Sequence, residues 1–271
     1  MTSGAAMIGR RRHALIAGFS LLGAAAVVAV FVVQGGDRWG LQRVDDGWLH
    51  WMTSVRTGWI TRVAGWLSVI GGPLVMVPVR LGVVAWLALR RRWLHLGAFV
   101  ATIVSSELCI GPLKAAIDRP RPPGPMTSVG SASFPSGHAI AAASTAVGLV
   151  VVLVPSSARR SHWIGLAAGF VAVMAASRTY LHAHWASDVV AGVCLGVGLA
   201  IIWPTAFELA RERWRAGRFT LVATVLGSSG CTSHIGSRAD ASATCLGSTE
   251  SGDTIRSTYA GTAHDCFEVV G

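Results

Sequence analysis

Charged residues are scarce in this chain. Asp, Glu, Lys and Arg make up 13% of its 271 residues, about half the share of an ordinary soluble domain. The stretches 163–176 and 189–203 have none at all. With 52% hydrophobic residues and a mean hydropathy of +0.54, this poverty argues against a soluble globular protein and for an integral membrane protein. Lysine is almost missing: of 23 Lys and Arg residues, Lys114 alone is lysine. The arginines sit in short clusters between apolar runs rather than on one basic face. The net charge of +10 therefore reads as membrane topology, and no nucleic-acid partner is expected. The five cysteines show no C-x-x-C spacing, which removes the common zinc and dithiol redox motifs. Cys109 and Cys194 lie in apolar segments and read as packing residues. There is no internal repeat and no C-terminal lipidation motif. Arg10–Arg12 precede the first apolar run as they would in a signal peptide. That run is longer than a typical signal core and lacks an A-x-A site, so an uncleaved helix is expected.

What the chain does have is six apolar stretches near the length that crosses a bilayer: 13–33, 72–89, 93–114, 137–154, 162–181 and 185–206. They predict an all-α, polytopic membrane protein, a bundle of six transmembrane helices within residues 1–207. Between the first two, Trp48, Trp51, Trp59 and Trp66 alternate with Arg56 and Arg62. That mixture predicts a helix over 45–70 lying at the membrane interface. Residues 208–271 are expected to form a largely disordered cytoplasmic tail, rich in Gly, Ser, Thr and Ala over 227–265. Arg10–Arg12, Arg90–Arg92, Arg159–Arg160 and the group Arg211, Arg213, Arg215, Arg218 fall at alternate ends of the spans. The positive-inside rule then puts both termini in the cytoplasm and the connections 34–71, 115–136 and 182–184 outside. Arg80 and Glu107 fall inside spans, where unpaired charge is costly, so they are expected to pair; the alternative is that Arg80 snorkels or lines a substrate path.

Three stretches on the expected outer side carry polar chemistry: "KAAIDRPRP" (114–122), "PSGH" (135–138) and "SRTYLHAHWASD" (177–188). Topology brings them into one layer. Lys114, Arg119, Arg121 and Arg178 outnumber Asp118 and Asp188 there, and two helices begin in the layer with their positive dipole ends. Ser136 at an N-cap position and Gly137 beside it leave backbone N–H groups for a ligand. Such a site suits a tetrahedral anion, phosphate above all. His184 and Asp188, four apart, would share a helix face, and the carboxylate would hold the imidazole as a nucleophile for phosphorus. His138 suits a general acid for the leaving oxygen. His182 has no such partner and reads as structural or substrate-lining. A metal held by His182, His184 and Asp188 is disfavoured, because residues two apart do not share a helix face and the surrounding cations repel it. No metal and no cofactor is expected.

These residues resemble the signature of the type 2 phosphatidic acid phosphatase superfamily: K-x6-R-P, then P-S-G-H, then S-R-x5-H-x3-D. Lys114 with Arg121–Pro122, then Pro135–His138, then Ser177–Arg178 with His184 and Asp188 match all three parts in order. The resemblance spans roughly 70–206. It implies His184 as a phosphorylated nucleophile oriented by Asp188, and His138 as proton donor. It implies Lys114, Arg121, Ser136, Gly137 and Arg178 as phosphate ligands, with no metal. It also implies a six-span enzyme of the cell membrane with an outward-facing site, acting on phosphatidic acid, phosphatidylglycerol phosphate or undecaprenyl diphosphate. It assigns nothing to Arg119 or His182. Two other readings use the same anion pocket: a vanadate-holding haloperoxidase, and a non-catalytic lipid-phosphate binding or transport protein. Six spans weigh against the first. The intact His184, Asp188 and His138 weigh against the second, since binding alone needs only the cations.

Overall fold

Long apolar runs punctuated by Gly, Pro and Arg fold as helices whose breaks fall at those residues. The computed structural model describes residues 2–35, 40–128, 130, 132–155, 159–227, 242–248 and 254–260. The helices are α1 (Thr2–Val33), α2 (Leu41–Ser54), α3 (Gly58–Ile70), α4 (Pro73–Leu89), α5 (Trp93–Ile117), α6 (Gly137–Leu153), α7 (Arg160–Tyr180) and α8 (Ala186–Gly227). α1 and α4–α8 lie over the six apolar stretches. The single helix expected over 45–70 is instead two. They break after Val55, where Thr57 Oγ1 accepts from Ile60 N at 3.4 Å and caps α3. α3 runs into α4 through a 45° bend at Gly71–Gly72, with Pro73 opening α4.

By length and hydropathy, Arg11–Val33, Trp93–Ile117 and Ala186–Arg215 can each cross a membrane, and α3 with α4 makes a fourth if that bent pair is one span. α6 is apolar but shorter. The chain is thus a helical, multi-pass membrane protein.

α6 sits at the centre of the packing. Ala139, Ile140, Ala142 and Ala143 are fully buried. α8 approaches them through Gly192 and Gly196. A Cβ on Gly196 would stand 2.7 Å from both Ala143 Cβ and Ile140 O, and one on Gly192 2.8 Å from Ser136 O. Only glycine admits that approach, the small-residue packing of membrane helices. The result joins the starts of α6 and α8, where Ser136 N donates to Asp188 O at 3.1 Å. At the opposite end of the bundle, Arg11 Nε lies 3.6 Å from Glu208 Oε2, and Arg92 Nη2 donates to Val152 O at 3.4 Å. Arg11 and Arg92 therefore share one end of the bundle and the signature residues the other. Inside the bundle, Arg80 Nη1 donates to Glu107 Oε1 at 2.6 Å, the expected pair.

Residues Glu212–Gly271 form a second compact unit. It holds the end of α8 and an antiparallel pair, β1 (Ser242–Ser248) with β2 (Thr254–Ala260), Cys245 opposite Ser257. The rest of the expected tail lies outside the described residues.

Candidate functional site

Lys114 stands in the last turn of α5 and its Nζ donates to Ala132 O at 2.7 Å. The helix stops at Asp118, whose left-handed φ of 39° turns the chain into the loop that carries Arg119 and Arg121. Arg121 is held by backbone carbonyls, its Nε donating to Gly130 O at 2.6 Å and its Nη2 to Ala132 O at 2.8 Å, while Nη1 donates to Ala183 O. Arg178, at the end of α7, is only 1% exposed. Its Nη1 donates to Ser68 Oγ at 2.8 Å and its Nε to Ser177 Oγ at 3.3 Å, and its Nη2 is buried with no partner. Among the described residues, no carboxylate lies within 4.0 Å of Lys114, Arg121 or Arg178. A buried cation without a counter-charge is costly, so this arrangement calls for an anion.

Ser136 takes the N-cap position of α6 but makes no capping bond, and its Oγ is buried without a partner. A Cβ on Gly137 would meet nothing nearer than Ile110 at 3.8 Å. Packing within the protein therefore does not demand glycine there; a group approaching the start of α6 would. His138 Nε2 lies 3.1 Å from Ser68 O. A carbonyl only accepts, so this nitrogen carries the proton.

His184 lies two residues before α8, so it and Asp188 do not share a helical face as expected. Asp188 is the third residue of α8 and reaches back to accept from Trp185 N at 2.9 Å, in the manner of a capping box. Its Oδ2 also accepts from Ser133 Oγ, and its Oδ1 from Arg119 Nη1 at 2.7 Å. His184 Nδ1 is left 3.7 Å from Asp188 Oδ2, too far for a hydrogen bond, and is buried without a partner. His184 Nε2 lies 3.4 Å from Arg121 Nη1. Arginine only donates, so Nε2 presents a lone pair and the proton sits on Nδ1, facing Asp188. Burial pushes the His184 imidazole below its ordinary value, against the upward pull of Asp188, and Arg121 and Lys114 push it the same way as burial. The ring is therefore neutral near pH 7.

His182 turns away. Its φ is 53°, its Nδ1 meets Pro123 O at 2.9 Å and its Nε2 meets Thr53 Oγ1 at 3.2 Å. Both nitrogens are engaged away from His184. Among the described residues no group of three or more His, Cys, Asp or Glu is placed to hold a metal.

Arg119 is among the cations expected in this layer. Asp45, Ser68 and Ser133 join it, and nothing in the sequence pattern marks them. Ser68 serves two site residues at once, with its hydroxyl on Arg178 and its carbonyl on His138. Two cavities flank the site. One of about 450 Å³ is lined by Lys114, Asp118, Arg121 and Ala132. The other, of about 480 Å³, runs between α4, α5 and α6 from Gly137 and His138 to Arg80 and Glu107.

Residues 95–212 match the family model of the PAP2 superfamily. Phosphatidylglycerophosphatase B of Bacillus subtilis (strain 168) is 26% identical over 180 residues, covering 65% of this chain and 88% of that relative. The crystal structure of a transmembrane PAP2 type phosphatidylglycerolphosphate phosphatase from Bacillus subtilis superposes with a TM-score of 0.59 at 24% identity, covering 71% of this chain and 96% of that one.

Proposed function

This chain belongs to the PAP2 superfamily, and from that premise we propose that it is a membrane lipid phosphate phosphatase working through a phosphohistidine. The observation that carries the reading is the unneutralised cationic layer of Lys114, Arg121 and Arg178, in which Arg178 Nη2 and Ser136 Oγ are buried donors without partners. A terminal phosphate supplies the oxygens they lack. The backbone N–H groups of Gly137 and His138, at the start of α6, add the positive end of a helix dipole.

In the first step the lone pair on His184 Nε2 forms a bond to phosphorus, and the bond from phosphorus to the lipid oxygen breaks. His138, protonated on both ring nitrogens, gives that oxygen one proton and is left neutral. In the second step water attacks phosphorus, the P–N bond breaks, His138 takes the proton of the water, and phosphate leaves. Asp188 faces the protonated Nδ1 and stabilises the charge that develops on the ring. The cations do the work a metal does elsewhere, so none is required.

The substrate is a lipid monophosphate or diphosphate: phosphatidic acid, phosphatidylglycerol phosphate or undecaprenyl diphosphate. The relative's name puts phosphatidylglycerol phosphate first among those to assay. The hydrocarbon of the leaving lipid would run into the cavity below His138. α1 and α4–α8 would be the six spans, with both termini cytoplasmic and the site at the outer face. The tryptophans of α2 and α3 would lie at the outer interface. The test is phosphate release by the purified full chain from these three lipids in detergent micelles. Release from at least one supports the reading. Binding of all three without release would favour a non-catalytic lipid-phosphate binding or transport protein.

A further inference from the structure

Arg119 lies outside the family signature, yet no arginine in the layer is more completely enclosed by polar groups. It is 7% exposed, and Asp45 and Asp188 on either side are 1% and 0% exposed. Its Nη1 donates to Asp188 Oδ1 and to Ser187 Oγ, each at 2.7 Å, and its Nη2 donates to Asp45 Oδ2 at 2.7 Å and Gln42 Oε1 at 3.0 Å. The Trp185 ring covers the guanidinium at 5.4 Å. Asp45 arrives from α2 and is fixed in turn, accepting from Ser187 N at 2.9 Å and Ser187 Oγ at 2.6 Å. One guanidinium thus bridges two buried carboxylates, and its fork is committed to them rather than to a ligand.

Among the described residues, by contrast, no carboxylate lies within 4.0 Å of Lys114, Arg121 or Arg178. Asp188 is the acid whose field acts on Lys114 and Arg121, and Arg119 is what neutralises it. We propose that Arg119, braced by Asp45, is a positioning residue that screens Asp188, so that the His184 imidazole stays neutral and Lys114, Arg121 and Arg178 stay available to the phosphate. This rests on the phosphatase reading above. The charged and titratable groups around His184 are Asp188 from α8, Lys114 from α5, Arg119 and Arg121 from the loop after it, Arg178 from α7 and His138 from α6. Removing Arg119 leaves Asp188 unscreened before His184 and free to draw Arg121 and Lys114 toward itself. Removing the charge of Asp45 does the opposite, because the guanidinium is then no longer shared.

The two changes therefore predict opposite signs, which a merely structural role would not produce. The readouts are the acid limb of kcat/KM against pH on whichever lipid phosphate the wild type hydrolyses, and vanadate binding by calorimetry. Arg119→Met should move the acid limb up by about one pH unit and weaken vanadate about tenfold, the sizes expected for an unscreened neighbouring carboxylate. Asp45→Asn should move the limb down and leave vanadate binding no weaker. Arg119→Lys, which keeps the charge but loses the fork, should restore most of both. Shifts in the same direction for Arg119→Met and Asp45→Asn, or no shift in either, overturn the proposal. Should Arg119→Met not fold, the near-isosteric Asp45→Asn decides: a downward shift supports it and an unmoved limb overturns it. A wild type that neither releases phosphate nor binds vanadate removes the phosphatase reading, and this inference with it.

Discussion

The imidazole of His184 and the carboxylate of Asp188 stand 3.7 Å apart, Nδ1 to Oδ2. Asp188 already accepts from Arg119, Ser133 and the Trp185 backbone. Its effect on His184 is therefore a field across a short gap more than a bond in the resting site, and the gap would close as the ring gains positive charge on phosphorylation.

That geometry separates the two histidines. His184→Ala should abolish the trapped phosphoenzyme on every substrate. His138→Ala should lose about 10²–10⁴-fold on an alkyl lipid phosphate, the range for a general acid. The loss should be smaller on an aryl phosphate, whose leaving oxygen needs no proton. Asp188→Asn should fall between them. Rapid-quench trapping with kinetics on both substrates reads all three. Equal losses of His138→Ala on both substrates would mean the two roles are wrongly divided.

The pH profile follows from the state of His184. Its imidazole sits below the ordinary 6.5 because burial outweighs Asp188. The nucleophile must be neutral, so kcat/KM should fall on the acid side as the ring passes through its lowered value. His138 must be protonated to act as the acid, so kcat/KM should fall on the alkaline side as well. An acid limb with its midpoint above 6.5 would show that Asp188 outweighs burial instead.

How much of this was readable in the chain depends on where the partners lie. The fourth apolar stretch, 137–154, and α6, Gly137–Leu153, agree closely because a charge-free run of that length has one good solution in a bilayer. The signature residues follow, since each sits at the end of such a run. Asp45 and Ser68 were not readable. Their partners, Ser187 and Arg178, are 142 and 110 residues away, and no periodicity reports a contact of that range. The break at Val55–Thr57 was hidden because tryptophan and arginine continue across it. The helix-face argument for His184 and Asp188 failed for a local reason: α8 starts at Ala186, after the histidine.

Metal independence can be checked directly. Lys114, Arg121 and Arg178 supply the positive charge a divalent cation would otherwise bring, so hydrolysis should survive EDTA, and vanadate should inhibit as a phosphate mimic. Activity that disappears in EDTA and returns with zinc or magnesium would overturn this account of the site.

Orientation is open to labelling. Thr127→Cys and Pro155→Cys, each in a chain with the five native cysteines replaced, sample the two ends of the bundle. An impermeant thiol reagent on intact cells should label the first and spare the second. The reverse pattern would put the site in the cytoplasm.

Arg80 and Glu107 give the sharpest test of the bundle interior. The pair is close, 2.6 Å from Nη1 to Oε1, but unequal: the arginine side chain is 8% exposed and the glutamate 50%. Arg80 also donates to Thr145 Oγ1 at 2.8 Å and, at 3.4 Å, to Ala141 O and Ser144 Oγ. Losing the arginine leaves a glutamate that the cavity below His138 can hydrate, so the cost should be small. Losing the glutamate's charge strands a buried guanidinium, and a broken buried pair costs about 3–5 kcal/mol; the remaining hydrogen bonds put this case at the low end of that range. Glu107→Gln should therefore lower the thermal midpoint in detergent more than Arg80→Met does. The double variant Arg80→Met/Glu107→Gln should be at least as stable as Arg80→Met alone, since no unpaired charge remains. Equal damage in both single variants and their sum in the double would mean that the two side chains do not depend on each other.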